Sequence, residues 1–261
     1  MLKKNESPDE GGSTRNILLK VSYTGTEFCG WQKQDNFRTV QGEIEKALER
    51  IHHKPVCVFG SGRTDSGVHA AGQYCNFYSD IKSMEPGNYI SALNSLLPKD
   101  VRITGCRIAD KNFHARFDAK SRTYRYFIHT GKNPLPMELP FTWAIYKPLN
   151  LSKLNDMASL LHGEMDFTAF ASSKDQSISK SRYIYNAVFF PQGENVVVFE
   201  ITANAFLWRM VRSLTGTMVE LESAPDPKMV FQEILGSSDR AKAGATAPPQ
   251  GLFLWDVSYF N

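Results

Sequence analysis

The stretch Gly60-Ser61-Gly62-Arg63-Thr64-Asp65-Ser66-Gly67-Val68-His69-Ala70 places a single carboxylate, Asp65, in a loop rich in glycine and small hydroxyl residues. Its three glycines allow the backbone to adopt positive φ or to approach a ligand closely. A glycine-rich loop that presents one ionised aspartate is typical of a nucleophile or a base. An ordinary turn capped by Asp65 is the alternative, because Asp and Gly are common turn residues. The local pattern alone leaves both interpretations open.

On either side of this loop, the sequence pattern predicts a defined order of strands and helices. Strand-like patterns occupy 17–23, 56–59, 73–78 and 101–108. Apolar residues recur at helical spacing over 40–51, where Thr39 is a plausible N-cap, and over 89–97, which ends before Pro98. The resulting order, β-α-β-β-α-β, is that of a ferredoxin-like unit.

The second half of the chain shows a similar alternation. Strand patterns occur at 123–128, 182–190, 196–202 and 252–257, and helical patterns at 154–161 and 206–218. We expect 182–190 and 196–202 to form a hairpin, and 131–148, which contains four prolines, to be a long loop. The predicted fold is α+β, with two ferredoxin-like units whose antiparallel sheets flank a central basic cleft. The expected division is a disordered tail at 1–15, an N-terminal unit at 16–108 and a C-terminal unit at 109–261.

Composition and charge narrow the class of protein. Hydrophobic residues make up 42% and charged residues 22% of the 261 positions, which is ordinary for a globular protein. The four cysteines form no CxxC pair and no histidine stands at zinc-like spacing, so no metal site is expected. The polar N-terminus does not resemble a signal peptide, and no apolar run is long enough to span a bilayer. We therefore expect a cytoplasmic protein without membrane association.

Positive charge is concentrated in one basic strip, residues 111–132. The net charge is only +3, but the strip contains six basic residues against one acidic residue, Asp118. Aromatic residues are interleaved with them, as in proteins whose basic groups hold phosphates and whose rings stack on bases. We expect Arg116 and Arg122 to contact RNA, and most of the aromatic rings to be buried on one face of a strand. A smaller cluster is expected to extend this track: Lys174, Lys180 and Arg182.

The loop around Asp65 is one of a series of motifs in a fixed order. Residues 62–70 resemble the signature of the tRNA pseudouridine synthase A family, and the resemblance extends from roughly Ile17 to the C-terminus. The family usually has Asp where this chain has Thr24, and Ala where it has Ser66. The other matching motifs are Tyr23-Thr24-Gly25-Thr26 with Phe28; Gly30-Trp31-Gln32; Thr39-Val40-Gln41; Phe113-His114-Ala115-Arg116-Phe117; Tyr124-Arg125-Tyr126; Asp166-Phe167-Thr168 with Phe170; Ala203-Asn204-Ala205-Phe206; Met210-Val211-Arg212; and Gly251-Leu252-Phe253-Leu254.

This resemblance implies a pseudouridine synthase fold and an isomerase that converts uridine to pseudouridine in the anticodon arm of tRNA, at positions 38, 39 and 40. It implies that Asp65 is the catalytic carboxylate, that Arg63 assists extrusion of the base, and that Tyr124 stacks on it. It also implies that Arg212 pairs with Asp65, and that the protein is a homodimer that binds tRNA. No cofactor is expected, because the isomerisation involves no redox change and no external group.

Two other functions fit parts of the sequence. One is a non-catalytic RNA-binding protein built of duplicated ferredoxin-like units. A pure binder, however, gains nothing from an anion such as Asp65 near phosphate. The other is an aspartate-based phosphotransferase, which normally needs a second acidic residue for magnesium. The DxD spacing is missing at Asp65, so both alternatives rank below the isomerase.

Overall fold

The N-terminal half folds in the predicted order of strands and helices. The computed structural model describes residues 14–260, so positions 1–13 of the expected tail lie outside the described residues. The elements of this half are β1 (Arg15–Tyr23), α1 (Val40–His52), β2 (Phe59–Gly60), β3 (His69–Ser79), α2 (Pro86–Leu96) and β4 (Val101–Ala109). Strand β1 therefore starts at the last position assigned to the tail, and β4 ends just past the expected boundary at 108.

The C-terminal half contains the predicted strands and helices and several further elements. They are β5 (Ser121–His129), β6 (Trp143–Ala144), α3 (Leu151–Ala158), β7 (Gly163–Asp166), β8 (Ser181–Gln192), β9 (Val196–Ala203), α4 (Met210–Leu221), α5 (Pro227–Ser237) and β10 (Leu252–Ser258). The hairpin is confirmed, because β8 and β9 pair antiparallel. Segment 131–148 is mostly loop, although β6 within it pairs with β5.

The strands form one sheet in which the two halves repeat a common order. The main path is β4-β1-β3-β10-β5-β9-β8-β7, with β2 beside β3 and β6 beside β5. In the first half the order is β4-β1-β3-β2, and in the second half β10-β5-β9-β8 has the same order, as two ferredoxin-like units require. The predicted α+β fold is confirmed. The two halves of this sheet join through a short parallel pairing of β10 with β3, where Phe253 lies opposite His69.

Alternation along the central strands separates the two faces of the sheet. Ile17 and Leu19 of β1 belong to the large apolar core, which also includes Ile44 and Leu48 of helix α1. Leu18, between them, faces the other way and packs in a small separate cluster with Ala109 and Ala115. The period of two in the strand and of about 3.6 in the helix thus builds a helix-covered face. Thr39 caps α1 as predicted, since its hydroxyl accepts a hydrogen bond from Gly42 N at 3.3 Å.

Two helical elements differ from the predicted pattern. Helix α5 has no predicted counterpart, although Asp226 caps it by accepting from Met229 N and Pro227 occupies its first position. Helix α4 begins at Met210 and not at 206, because Arg209 takes the left-handed conformation, with φ of 64°. The apolar spacing over 206–218 continues across that break, so periodicity alone extends the helix too far.

Candidate active site

The loop that carries Asp65 is held by backbone bonds to the segment before helix α1. Thr64 O accepts a hydrogen bond from Trp31 N at 3.2 Å, and Gly67 N donates to Phe28 O at 3.3 Å. The Ser66 hydroxyl also donates to Phe28 O, at 3.2 Å. Bonds on both sides of Asp65 therefore fix the loop, and the backbone does not depend on a ligand for its shape.

Two glycines outside the loop make this close contact possible. A Cβ added to Gly25 would lie 2.0 Å from Val68 O, and one added to Gly30 would lie 2.5 Å from Thr64 O. Gly30 also has φ of 85°, a conformation that side chains rarely adopt. The segments around Gly25 and Gly30 therefore pack directly against the backbone of the Asp65 loop.

Buried polar side chains support the loop from below. The Tyr23 hydroxyl and Thr64 Oγ1 are 2.8 Å apart and both residues are buried. Gln73 Nε2 donates to Gly62 O at 3.1 Å, and its amide oxygen bonds to the Ser61 hydroxyl. Burial raises the pKa of Tyr23, which keeps its hydroxyl protonated. These contacts restrict the positions that the loop can take.

His69, at the end of the loop, has a structural environment. Its Nδ1 accepts a hydrogen bond from Gly25 N at 3.0 Å, and its ring stacks on Phe253 with centroids 4.6 Å apart. Burial lowers the pKa of His69, which favours the neutral imidazole that this acceptor role needs. This geometry indicates a structural role for His69 and not a catalytic one.

Helix α4 brings Arg212 to the carboxylate. Arg212 Nη1 donates to Asp65 Oδ2 at 3.1 Å, across a sequence separation of 147 residues. The exposed fraction is 11% for the Arg212 side chain and 22% for that of Asp65. Arg212 Nε donates in another direction, to Ala247 O at 2.8 Å. The structure therefore brings together the two residues that the resemblance pairs, with Asp65 still partly open to solvent.

Tyr124 lies on the helix-covered face of β5, close to this pair. Its ring is 9% exposed and meets Phe206 edge to face, with centroids 5.0 Å apart. Burial, and to a lesser degree the negative charge of Asp65, raises the pKa of Tyr124 above its ordinary value. Sequence reasoning gave Phe206 no role, although it stands within a matching motif two residues after Asn204. The ring contact between Phe206 and Tyr124 places Phe206 in the same site.

Two exposed arginines belong to this region: Arg63 lies within the loop, and Arg116 lies in the basic strip. Arg63 Nε donates to Gln32 Oε1 at 3.1 Å, and both side chains are on the surface. Partial burial, followed by the positive charge of Arg63, lowers the pKa of Arg116. Binding of an anion to these two cations would offset their mutual repulsion.

Arg122, for which an RNA contact was predicted, has a different setting. Its Nη1 donates to Ala119 O and Asn204 O, and its Nη2 donates to Ser61 O and Arg116 O, at 2.8–3.1 Å. Burial lowers its pKa. The guanidinium thus binds four carbonyls on three backbone segments, and this geometry favours a structural role. The RNA contact of Arg122 stays a prediction.

The rest of the basic strip is also divided between surface and interior. Arg125 is paired with Glu200 at 2.7 Å and lies over the Trp255 ring. In the smaller cluster, Lys180 is paired with Asp175 at 2.5 Å. The exposed cations of the strip are Lys111, Arg116, Lys120 and Lys132.

The described part of the chain contains neither a cluster of metal-binding side chains nor a membrane-spanning helix. Within residues 14–260, no group of three or more His, Cys, Asp or Glu side chains could hold a metal ion. No helix in the same range is both long and apolar enough to cross a membrane. The expectations of no metal, no cofactor and no membrane association stay predictions.

A family sequence profile matches most of the chain. The profile is described as tRNA pseudouridine synthase, and it matches residues 20–118 and 157–260. The chain belongs to the tRNA pseudouridine synthase family. The matched ranges contain Asp65, Arg63, Arg116 and Arg212, whereas Tyr124 falls between them.

Curated relatives in this family are similar over nearly their whole length. A tRNA pseudouridine synthase A of Treponema denticola is 56% identical over 250 residues, which cover 94% of this chain and 93% of that protein. The tRNA pseudouridine synthase A of Treponema pallidum strain Nichols is 47% identical, over 88% of this chain and 84% of that protein. The tRNA pseudouridine synthase A of Borrelia hermsii is 42% identical, over 94% of this chain and 99% of that protein. These values confirm the resemblance noted in the sequence.

Solved structures give a more distant match. The archaeal box H/ACA sRNP Nop10–Cbf5 complex aligns with a TM-score of 0.38 and 11% identity, over 84% of this chain and 47% of that chain. That similarity is too low to specify a common fold. The assignment to the tRNA pseudouridine synthase family therefore rests on the sequence relatives.

Proposed function

We propose that this chain converts uridine to pseudouridine at positions 38, 39 and 40 in the anticodon arm of tRNA, with Asp65 as the catalytic carboxylate. Membership of the family makes it an isomerase of tRNA uridines. The observation that carries the role of Asp65 is its bond to Arg212, in a loop held by backbone hydrogen bonds to the segment before helix α1. Positions 38, 39 and 40 follow from the resemblance. A preorganised charge of this kind is what an enzyme site requires.

The reaction explains why one carboxylate is enough. The N1–C1′ glycosidic bond breaks, the uracil turns, and C5 bonds to C1′; the C5 proton is lost and N1 gains one. No electrons enter or leave, so the balance needs no further reactant. A carboxylate beside the ribose can attack as a nucleophile or remove a ribose proton. Asp65 fits either route, because one side of it contacts Arg212 while part of it remains exposed.

Arg212 supports Asp65 by charge and by direction. The guanidinium stabilises the carboxylate charge through a charge-assisted hydrogen bond. Its second bond, to the Ala247 carbonyl, fixes the plane of the guanidinium. A fixed donor limits the rotamers of Asp65, so the free carboxylate oxygen points in a constant direction.

The neighbouring residues suit the other needs of the reaction. A uridine within the arm must leave its stack, at a cost of a few kcal/mol. The Tyr124 ring, backed by Phe206, offers an aromatic face beside Asp65 for the extruded base. Arg63 and Arg116 offer two neighbouring cations for the RNA backbone around it. We assign extrusion of the base to Arg63, base stacking to Tyr124, and a phosphate contact to Arg116.

The wider setting follows from the same proposal. The partner is tRNA, and the working unit is a homodimer in the cytoplasm that needs neither a metal nor another cofactor. The homodimer follows from the resemblance alone. Sedimentation of the purified protein at micromolar concentration should give twice the mass of one 29.4 kDa chain.

The direct test is incubation of the purified protein with unmodified tRNA transcripts. Pseudouridine should appear at positions 38, 39 or 40 wherever the transcript has uridine there. A transcript with cytidine at these three positions is the matched control and should stay unmodified. Pseudouridine only at other positions would contradict the assignment to the anticodon arm, and no pseudouridine in any transcript would contradict the activity.

A further inference from the structure

The face of helix α4 that carries Arg212 is joined to a later segment of the chain, residues 240–247. At one end of this segment, Arg212 and Ala247 exchange two bonds. Ala247 N donates to Arg212 O at 3.1 Å, and Arg212 Nε donates to Ala247 O at 2.8 Å. Five residues further along the helix, Thr217 Oγ1 accepts a hydrogen bond from Gly244 N at 3.0 Å. The segment thus lies along the helix that holds the partner of Asp65.

The closeness of the segment to α4 depends on a residue without a side chain. A Cβ added to Gly216 would lie 1.9 Å from Ala245 O. Ala245 N in turn donates to Glu220 Oε2 at 3.2 Å. Arg212, Gly216 and Glu220 are spaced by four residues and therefore share one face of the helix. That face is matched to the backbone of the segment at Ala245 and Ala247.

Arg240 closes the segment from the other side. Its Nη2 donates to Thr246 Oγ1 at 2.9 Å, and its Nη1 donates to Ala243 O at 3.2 Å and Gly244 O at 3.3 Å. A planar guanidinium with donors in fixed directions holds several acceptors at once. Arg240 therefore determines the path of the residues that lead into Ala247.

We propose that Arg240 is a positioning residue for the Arg212–Asp65 pair. It fixes the 240–247 segment, the segment presents the Ala247 carbonyl to Arg212 Nε, and that bond aims Arg212 Nη1 at Asp65. The inference rests on the proposed function, because its effect on turnover passes through Asp65. Arg240 bonds to residues of the segment and acts on Asp65 through Ala247 and Arg212, so it is a positioning residue and not a catalytic one.

The first arm of the test compares three variants in single-turnover assays with enzyme in excess over tRNA. Arg240→Ala should lower the rate of pseudouridine formation by about 10- to 100-fold, the effect of misplacing a reacting group by about 1 Å. The rate for Arg240→Lys should lie between the rates of the wild type and of Arg240→Ala, since one ammonium cannot hold three acceptors. Lys242→Ala removes an exposed cation from the same turn and should leave the rate unchanged. The dissociation constant for tRNA should stay within a few-fold throughout.

The second arm separates positioning from general stability. In an Arg212→Met background, Arg240→Ala should cause no further loss, because the residue through which it acts is gone. Gly216→Ala, which displaces the segment at another point, should show the same non-additive behaviour. An equal loss in both backgrounds, or a wild-type rate for Arg240→Ala, would overturn the proposal. If Arg240→Ala fails to fold, Arg240→Lys and Gly216→Ala answer the same question.

A third arm does not depend on turnover. The Arg212 Nε–H signal in nitrogen-15 NMR, identified by its loss in Arg212→Met, should shift in Arg240→Ala but not in Lys242→Ala. An unchanged signal would overturn the positioning role. The two proposals can therefore fail separately. If the wild-type protein makes no pseudouridine but the signal shifts in Arg240→Ala, the proposed function is refuted and the positioning of Arg212 by Arg240 stands.

Discussion

Arg212 allows a quantitative prediction, because two substitutions at this position remove different parts of its contact with Asp65. Two unit charges about 4 Å apart interact by about 4 kcal/mol at an effective dielectric constant of ~20, the value suited to pairs near a protein surface. The two side chains are 11% and 22% exposed, so solvent screens only part of this interaction. Arg212→Met should therefore lower kcat by about 10²–10³-fold, or about 3–4 kcal/mol, as loss of one preorganised donor does.

Arg212→Lys keeps the charge but loses the geometry. Arginine reaches Asp65 Oδ2 with Nη1 and Ala247 O with Nε, whereas lysine has one nitrogen for both acceptors. We expect a smaller loss in kcat, about tenfold, which equals about 1.4 kcal/mol.

The assay is single-turnover release of tritium from C5 of labelled uridine in tRNA, with the enzyme in excess so that binding does not limit the rate. Lys228→Met, at an exposed position on α5, is the control for loss of a positive charge. A fully active Arg212→Lys variant would show that a point charge suffices and that the orientation of the guanidinium contributes nothing. A fully active Arg212→Met variant would remove the pair from the mechanism.

The remaining predictions concern the base and the RNA backbone. Tyr124→Phe should lower kcat more than tRNA affinity, and Tyr124→Ala should lower both, since stacking contributes about 1–3 kcal/mol per base; wild-type kcat for Tyr124→Phe would leave the hydroxyl without a role. Arg116→Ala should flatten the slope of log affinity against log salt by about one contact, ~0.7–0.9, and an unchanged slope would place Arg116 away from RNA. Arg122→Ala should lower the melting temperature, because four carbonyls lose their donor; a wild-type melting temperature with a flatter slope would favour the RNA contact.

The order of strands and helices along the chain was predictable from local pattern. The pairing that joins the two halves of the sheet was not. Alternation in β1 and β5 and the cap at Thr39 are local signals, and the structure follows them. The contact of β10 with β3 involves only two residue pairs, led by Phe253 opposite His69. A pairing so short and so distant along the chain leaves no periodic trace in the sequence. Helix α5, by contrast, carried a readable signal in Asp226 and Pro227.

The candidate site was predictable in its centre and less so at its edges. Asp65 stood out because glycines and small hydroxyl residues surround it, but its pairing with Arg212 came from the resemblance, since spacing does not report a contact across 147 residues. Charge counting along the basic strip failed to separate Arg122 from Arg116. One guanidinium faces backbone carbonyls and the other faces solvent, and only the fold decides which.

The central claim is that Asp65 performs the chemistry, and Asp65→Asn tests it most directly. Asparagine is nearly the same size but cannot act as a nucleophile or a base at neutral pH. The single-turnover tritium assay should show no release above the enzyme-free background, while the dissociation constant for tRNA stays within a few-fold of wild type. Asp35→Asn, at an exposed loop position, is the matched control and should remain fully active. Substantial release of tritium by the Asp65→Asn variant would contradict the account.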